Sequence, residues 1–142
     1  MTWIADRIKE RDAGNRTKQF ITSAAEGVFN TLWKDIEAFV PQANKEGGFA
    51  LQLDSKQADE RKIIKPVSPS AINRLPETLT IRLEKDKGKI VASCFHPPVC
   101  LIFSIEVSGR NKDLVDLIHC GNEVSAEKAC QLILDPFLFP KD

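Results

Sequence analysis

The chain has 142 residues, of which 42% are hydrophobic and 28% are charged, which excludes wholesale disorder and predicts one domain spanning residues 1–142. The 20 basic and 20 acidic residues cancel, which argues against a nucleic-acid or anionic-membrane partner. No apolar run approaches the roughly 18 residues of a membrane span, and charged residues interrupt the opening where a secretory signal needs an apolar stretch. A cytoplasmic location is therefore expected.

The first predicted element is a long N-terminal helix. Between residues 20 and 40 the apolar residues recur every three or four positions, as on a helix that covers a sheet: Ile21, Ala25, Val28, Leu32, Ile36 and Phe39. Residues 2–18 are also compatible with a helix, and Gly14 either divides it into two or is tolerated within a single long one. Pro41 is expected to end the helix, because its ring clashes with the preceding turn.

Five or six antiparallel strands are predicted after a glycine turn, because the apolar period changes from 3.6 to 2. The predicted strands are residues 49–54, 61–67, 78–84, 89–95 and 99–107. Residues 114–119 fit either a short helix or a sixth strand, and the turn before them favours the strand. Residues 68–76 contain two prolines and are expected to form a surface connection.

A second helix is predicted at the C-terminal end, with Ser125 as its N-cap and Glu127 placed favourably in its first turn. Pro136 is expected to end or kink this helix, and the apolar residues 137–139 either close the core or meet a partner. The predicted fold class is therefore α+β, with a long N-terminal helix packed on an antiparallel sheet and a C-terminal helix.

Cysteine and histidine form the one cluster in the sequence that resembles a metal or reactive site: Cys94, His96, Cys100, His119 and Cys120. Thiolate and imidazole are the ligands that zinc prefers. Alternation along a hairpin, however, would place Cys94 and His96 on one face of the sheet and Cys100 on the other. We therefore predict no metal site, no cofactor and no catalytic residue, and we interpret the cysteines as mostly buried, reduced thiols.

Trp3, Ile4 and Ile8 are large apolar residues on a stretch that is otherwise almost wholly polar up to Phe20. Packing against the chain's own body is the plainer explanation for them. The alternative is a candidate protein interface for a partner or a second copy of the chain, because apolar residues on a loosely anchored helix are typical of binding elements.

Three functional classes follow from these patterns. The leading hypothesis is a non-catalytic protein-interaction or adaptor protein, with self-association as a homodimer included. The alternative is a small-molecule-binding protein with a pocket between helix and sheet, lined by Trp33, Cys94, His96 and Phe103. An enzyme is the least favoured class, because no catalytic constellation stands out in the sequence.

Overall fold

The predicted α+β class is confirmed by a computed structural model, which describes residues 2–66, 76–95, 98–111 and 113–139. Helix α1 (Thr2–Gly47) is followed by strands β1 (Gln52–Asp54), β2 (Glu60–Lys65), β3 (Glu77–Glu84), β4 (Lys89–Cys94), β5 (Val99–Val107), β6 (Val115–His119) and β7 (Asn122–Val124), and then by helix α2 (Ala126–Leu138). Within these described ranges, neither helix is both long and apolar enough to cross a bilayer.

The strands form one antiparallel meander in which each strand pairs with the next one along the chain, from β1 to β7. The sheet has seven strands where five or six were expected, and residues 115–119 are a strand, as the turn before them favoured. The missed strand is β7, which follows a tight turn at Cys120 (φ 52°) and Gly121 (φ 81°). Cysteine is uncommon at such a left-handed position, where asparagine or aspartate usually precedes the glycine. The connection predicted at residues 68–76 lies almost entirely outside the described residues.

Both helices cover the same face of the sheet. Leu79, Ile81 and Leu83 are buried along β3, whereas Thr80 and Arg82 between them are not, so only one face of the sheet is covered. The core joins three groups of side chains: from α1 Ala25, Phe29, Leu32, Trp33 and Ile36, from the sheet Ile63, Leu79, Ile81, Ile90 and Phe103, and from α2 Ala129, Cys130, Ile133 and Phe137.

Helix α1 is continuous over 46 residues, or about 69 Å at 1.5 Å per residue. It passes through Gly14 without a break, and the expectation that Pro41 ends the helix is wrong. Pro41 is exposed, so water can hydrate the backbone carbonyl group that would otherwise accept a hydrogen bond from an N–H at this position. On either side of Pro41, Val40 is buried and Ala43 packs against the core. Packing on both sides of the proline therefore maintains the helix.

Helix α2 continues through Pro136 to Leu138, where either an end or a kink was expected near Asp135. Burial of Phe137 and Leu138 offsets the hydrogen bond that Pro136 cannot donate. The predicted N-cap is confirmed, because the Ser125 hydroxyl accepts a hydrogen bond of 3.0 Å from the backbone N–H of Lys128.

Contact between α1 and the sheet begins near residue 20. Gly88 has a φ of +61°, and a Cβ atom there would lie 2.9 Å from Cγ2 of Ile21, so only glycine fits between this turn and the helix. Glu26 forms an ion pair with Lys85 one turn further along the helix. The residues of α1 that precede this first contact, up to residue 19, lie beyond the covered face of the sheet.

Candidate functional site

The first candidate site is the part of α1 that precedes its contact with the sheet, residues 2–19, which we call the projecting segment. All of its residues are exposed except Asp12, which is half-buried, so this helix of about 27 Å is in solvent around its whole circumference. The predicted interface residues lie here, with exposed fractions of 65% for Trp3, 37% for Ile4 and 44% for Ile8. The structure thus places these three side chains on an exposed stretch of helix and not against the chain's own body.

One face of the projecting segment combines apolar and basic side chains. Ile4, Arg7, Ile8 and Arg11 are spaced by three, one and three residues, so they lie side by side on the helix. The segment as a whole contains five basic and three acidic residues. Arg7 pairs with Glu10 at 3.7 Å and Arg11 with Asp12 at 3.5 Å, but these exposed pairs contribute little and can exchange.

The second candidate site is a groove of about 630 Å³ between the C-terminal turns of α1 and helix α2, which we call the α1–α2 groove. Its apolar lining consists of Phe39, Ala43, Phe49, Leu134, Leu138 and Phe139. The rings of Phe49 and Phe139 meet edge to face with centroids 5.8 Å apart and form one wall. Phe139 remains 63% exposed, although Phe137 and Leu138 beside it are buried, so the apolar C-terminal residues serve both the core and the groove.

The polar lining of the groove is acidic. Glu46, Glu127 and Asp135 line it, and none of the described residues that line it is basic. Cys130 also borders the groove, and burial raises the pKa of its thiol to about 12, with the negative charges of Asp35 and Glu127 adding to the effect. Cys130 is therefore a protonated, unreactive thiol at neutral pH.

The residues predicted to line a ligand pocket between helix and sheet lie elsewhere. Trp33, Cys94 and Phe103 are 3%, 7% and 0% exposed and belong to the packed core, and His96 is outside the described residues. None of them lines the α1–α2 groove. The ligand pocket lined by these residues thus stays a prediction.

The cysteine and histidine cluster is divided between the two faces of the sheet. Cys94 is buried on the covered face, whereas Cys100 is exposed on the open one. Cys94 pairs with Val99, so these two side chains share a face of the sheet, and Cys100, one residue further along β5, lies on the other face. In the ranges that the structure describes, no group of three histidine, cysteine or acidic residues is arranged to hold a metal ion.

His119 and Cys120 do approach each other at the β6–β7 turn. The Nε2 atom of His119 lies 3.5 Å from the Cys120 sulfur, and its Nδ1 atom lies 3.3 Å from the carbonyl oxygen of Ile102. The imidazole ring also packs on Phe103, with centroids 5.0 Å apart. These contacts hold the ring in place at the edge of the core, which is sufficient to explain a histidine here.

The sequence did not predict the α1–α2 groove, because Pro41 was expected to end α1 before it. The spacing of Phe39, Ala43 and Glu46 by three or four residues continues the helical pattern through the proline and was the available signal. Comparison of the chain with protein-family models, with curated proteins and with solved structures finds no match. Function is therefore inferred from the residues of the chain itself.

Proposed function

We propose that the protein is a non-catalytic interaction protein that binds a protein partner through its projecting segment. One observation carries this proposal, namely the exposure of Trp3, Ile4 and Ile8 on a helix that has solvent on all sides. This part of α1 lacks the tertiary packing that supplies most helical stability in proteins, and exposed large apolar side chains add an unfavourable hydration term. A partner that buries this face relieves both.

The composition of the exposed face also suits binding. Tryptophan and arginine are the side chains that most often dominate the affinity of protein interfaces, and Trp3 lies about one helical turn from Arg7. Helices that bind in grooves present anchors at intervals of three, four and seven residues. Ile4, Ile8 and Arg11 have this spacing.

The arrangement of reactive groups favours binding over catalysis. Cys94 and Cys100 face opposite sides of the sheet, and the Cys130 thiol stays protonated well above neutral pH. The carboxylates that line the α1–α2 groove are exposed, as expected of groups that attract a cationic partner. These features support a surface that binds by shape and charge.

The test identifies the proteins that co-purify from cells with the tagged chain and compares them between the wild type and two variants. A second copy of the chain with a different tag is expressed in the same cells, so that self-association is also detected. Trp3→Ala/Ile8→Ala removes two anchors of the projecting segment. Phe95→Ala/Leu114→Ala is the matched control, because these side chains are 98% and 58% exposed elsewhere on the chain. Quantitative mass spectrometry should show that the wild type and the control retain the same partners and that the segment variant loses them.

An unchanged set of partners in Trp3→Ala/Ile8→Ala would sink the proposal. Both substitutions lie outside the core, so the free energy of unfolding should stay within about 0.5 kcal/mol of the wild type. Chemical denaturation and circular dichroism check this, so that loss of binding is not confused with loss of folding.

A further inference from the structure

We propose that the partner is a second copy of this chain, and that the projecting segment of each copy lies in the α1–α2 groove of the other. This inference rests on the proposed function, because it requires the projecting segment to be the binding element. It adds the identity of the partner and the surface that receives the segment.

The segment cannot reach the groove of its own chain. Helix α1 runs without interruption from Thr2 to Gly47, so the segment and the groove lie at opposite ends of one helix. Ile4 and Ala43 are 39 residues apart, which corresponds to about 58 Å along the axis. Any contact between the two surfaces must therefore join different molecules.

The charges of the two surfaces are complementary. The projecting segment has five basic and three acidic residues, a difference of plus two, and Arg7 and Arg11 lie on the same face as its isoleucines. The described lining of the groove contains Glu46, Glu127 and Asp135 and no basic residue, a difference of minus three, and one lysine borders it, with the Lys65 Nζ 5.8 Å from the ring centroid of Phe49. Pairing of guanidinium and carboxylate groups here steers the approach and fixes the register of the helix in the groove.

The apolar parts of the two surfaces are also matched. Phe49 and Phe139 present an aromatic wall, and Trp3 is an exposed aromatic side chain of the kind that packs against such a surface. The groove volume of about 630 Å³ accommodates several large side chains. Exposed apolar area is therefore removed from water on both surfaces at once.

In a two-fold symmetric dimer, both copies bury their projecting segment and fill their groove. When two α1 helices lie antiparallel, the segment of each is beside the groove of the other, so the same contact forms twice and the assembly closes as a dimer. A parallel coiled coil of two projecting segments is disfavoured. Arg11 and Lys18 follow Ile4 at intervals of seven residues, so in such a coiled coil each of these basic residues would face the same residue of the other copy. The charge pattern thus selects the groove over the neighbouring segment.

The experiment uses charge reversal on the full chain, with mass measured by light scattering over a range of concentrations. Arg7→Glu/Arg11→Glu makes the segment acidic, and Glu46→Lys/Asp135→Lys makes the groove basic. Both carboxylates are exposed, so the fold should persist, and circular dichroism checks it. Glu106→Lys/Asp113→Lys is the control, because these exposed carboxylates lie away from both surfaces.

The wild type and the control should have twice the 15.9 kDa chain mass. Each reversed variant alone should dissociate about tenfold or more readily, because like charges then meet in both contacts. An equimolar mixture of the two reversed variants should restore the dimer, since each segment then faces a groove of opposite charge. Recovery in the mixture is the decisive result, because general damage to either variant cannot produce it.

Two outcomes overturn the inference and separate it from the proposed function. If the wild type is monomeric while Trp3→Ala/Ile8→Ala still loses foreign partners, the proposed function stands and self-association fails. If the wild type is dimeric but the mixture of reversed variants does not recover, the groove is not the receiving surface. A monomer whose partners do not depend on the segment contradicts both proposals.

Discussion

The side-chain amide of Asn44 forms two hydrogen bonds with the backbone of Leu51. Its Nδ2 donates to the Leu51 carbonyl oxygen at 3.3 Å, and its Oδ1 accepts from the Leu51 N–H at 2.9 Å. Asn44 lies in the last turns of α1 beyond Pro41, and Leu51 immediately precedes β1. This pair therefore fixes the chain reversal that places Phe49 in the wall of the α1–α2 groove.

Asn44→Ala should lower the free energy of unfolding by about 1–3 kcal/mol, because it leaves two partly buried backbone groups without these partners. Chemical denaturation measures the change. Gln42→Ala is the matched control, since Gln42 is exposed and its side chain donates a hydrogen bond of 3.2 Å to the exposed Glu46. A loss no larger in Asn44→Ala than in Gln42→Ala would show that the pair does not hold the reversal.

Arg61 joins β2 to α1 through its guanidinium group, which lies 5.5 Å from the ring centroid of Phe29 and 5.8 Å from that of Trp33. Arg61→Ala should destabilise the fold by about 1–2 kcal/mol, because the cation–π contacts and the packing of the side-chain stem are lost together. Arg61→Lys should recover only part of this, since an ammonium group lacks the planar surface.

Urea denaturation of Arg61→Ala and Arg61→Lys tests this order of stability. Arg82→Ala serves as the control, because Arg82 lies on the open face of the sheet with 54% of its side chain exposed. Equal stability of Arg61→Lys and the wild type would contradict a role for the planar guanidinium.

Pro41→Ala should raise the free energy of unfolding by about 2–3 kcal/mol. Proline in a helix interior costs about 3 kcal/mol relative to alanine, and greater freedom of the unfolded alanine chain offsets up to about 1 kcal/mol of that gain. The exposed position gives the new side chain nothing to clash with in the core. Thermal and chemical unfolding measure the change, and a less stable variant would mean that the proline shape is required at this point.

The helical and strand patterns predicted most of the fold because they depend on local periodicity. The apolar spacing of Phe29, Leu32 and Ile36 is typical of a helix, and the alternation of Phe103 and Ile105 is typical of a strand. The end of α1 was mispredicted because tertiary packing of Val40 and Ala43 outweighs the local penalty of Pro41. Strand β7 was missed because Cys120 adopts a conformation that its residue type does not indicate.

The candidate site was only partly predictable for a different reason. Trp3, Ile4 and Ile8 could be identified as candidate anchors, but their exposure depends on where the sheet ends beneath α1. That point is fixed by the close approach of Ile21 to Gly88, two residues far apart in sequence. The groove similarly requires the packing of α2 beside α1, which no local pattern specifies.

The Cys130 thiol should make the stability depend on pH in alkaline solution. In the unfolded chain its pKa is the ordinary 9.0, whereas in the folded protein burial raises the pKa to about 12. Between these values the unfolded state binds fewer protons, so stability is fully present below pH 9 and falls as the pH rises. The slope contributed by one such group is about 1.4 kcal/mol per pH unit.

Between a pH just below 9 and a pH well above 9, the free energy of unfolding should therefore fall less for Cys130→Ala than for the wild type. Groups common to both proteins cancel in this comparison. Cys100→Ala is the control for the loss of a thiol outside the core, because Cys100 is exposed. Identical slopes for the wild type and Cys130→Ala would contradict the raised pKa.

Gly14→Ala should stabilise the projecting segment without affecting the core. A Cβ atom at Gly14 has nothing within 4 Å, and alanine favours a helix by about 1 kcal/mol over glycine, which corresponds to about fivefold slower amide exchange. Measured in the Trp3→Ala/Ile8→Ala background, hydrogen exchange should slow by this factor over residues 2–19. Gly27→Ala, where a Cβ is equally unobstructed, should instead raise global stability and leave exchange in the segment unchanged. The contrary outcome is that the backbone amides of residues 2–19 already exchange as slowly as those of residues 25–40 in that background. The segment would then open only together with the core, and not as an independent helix.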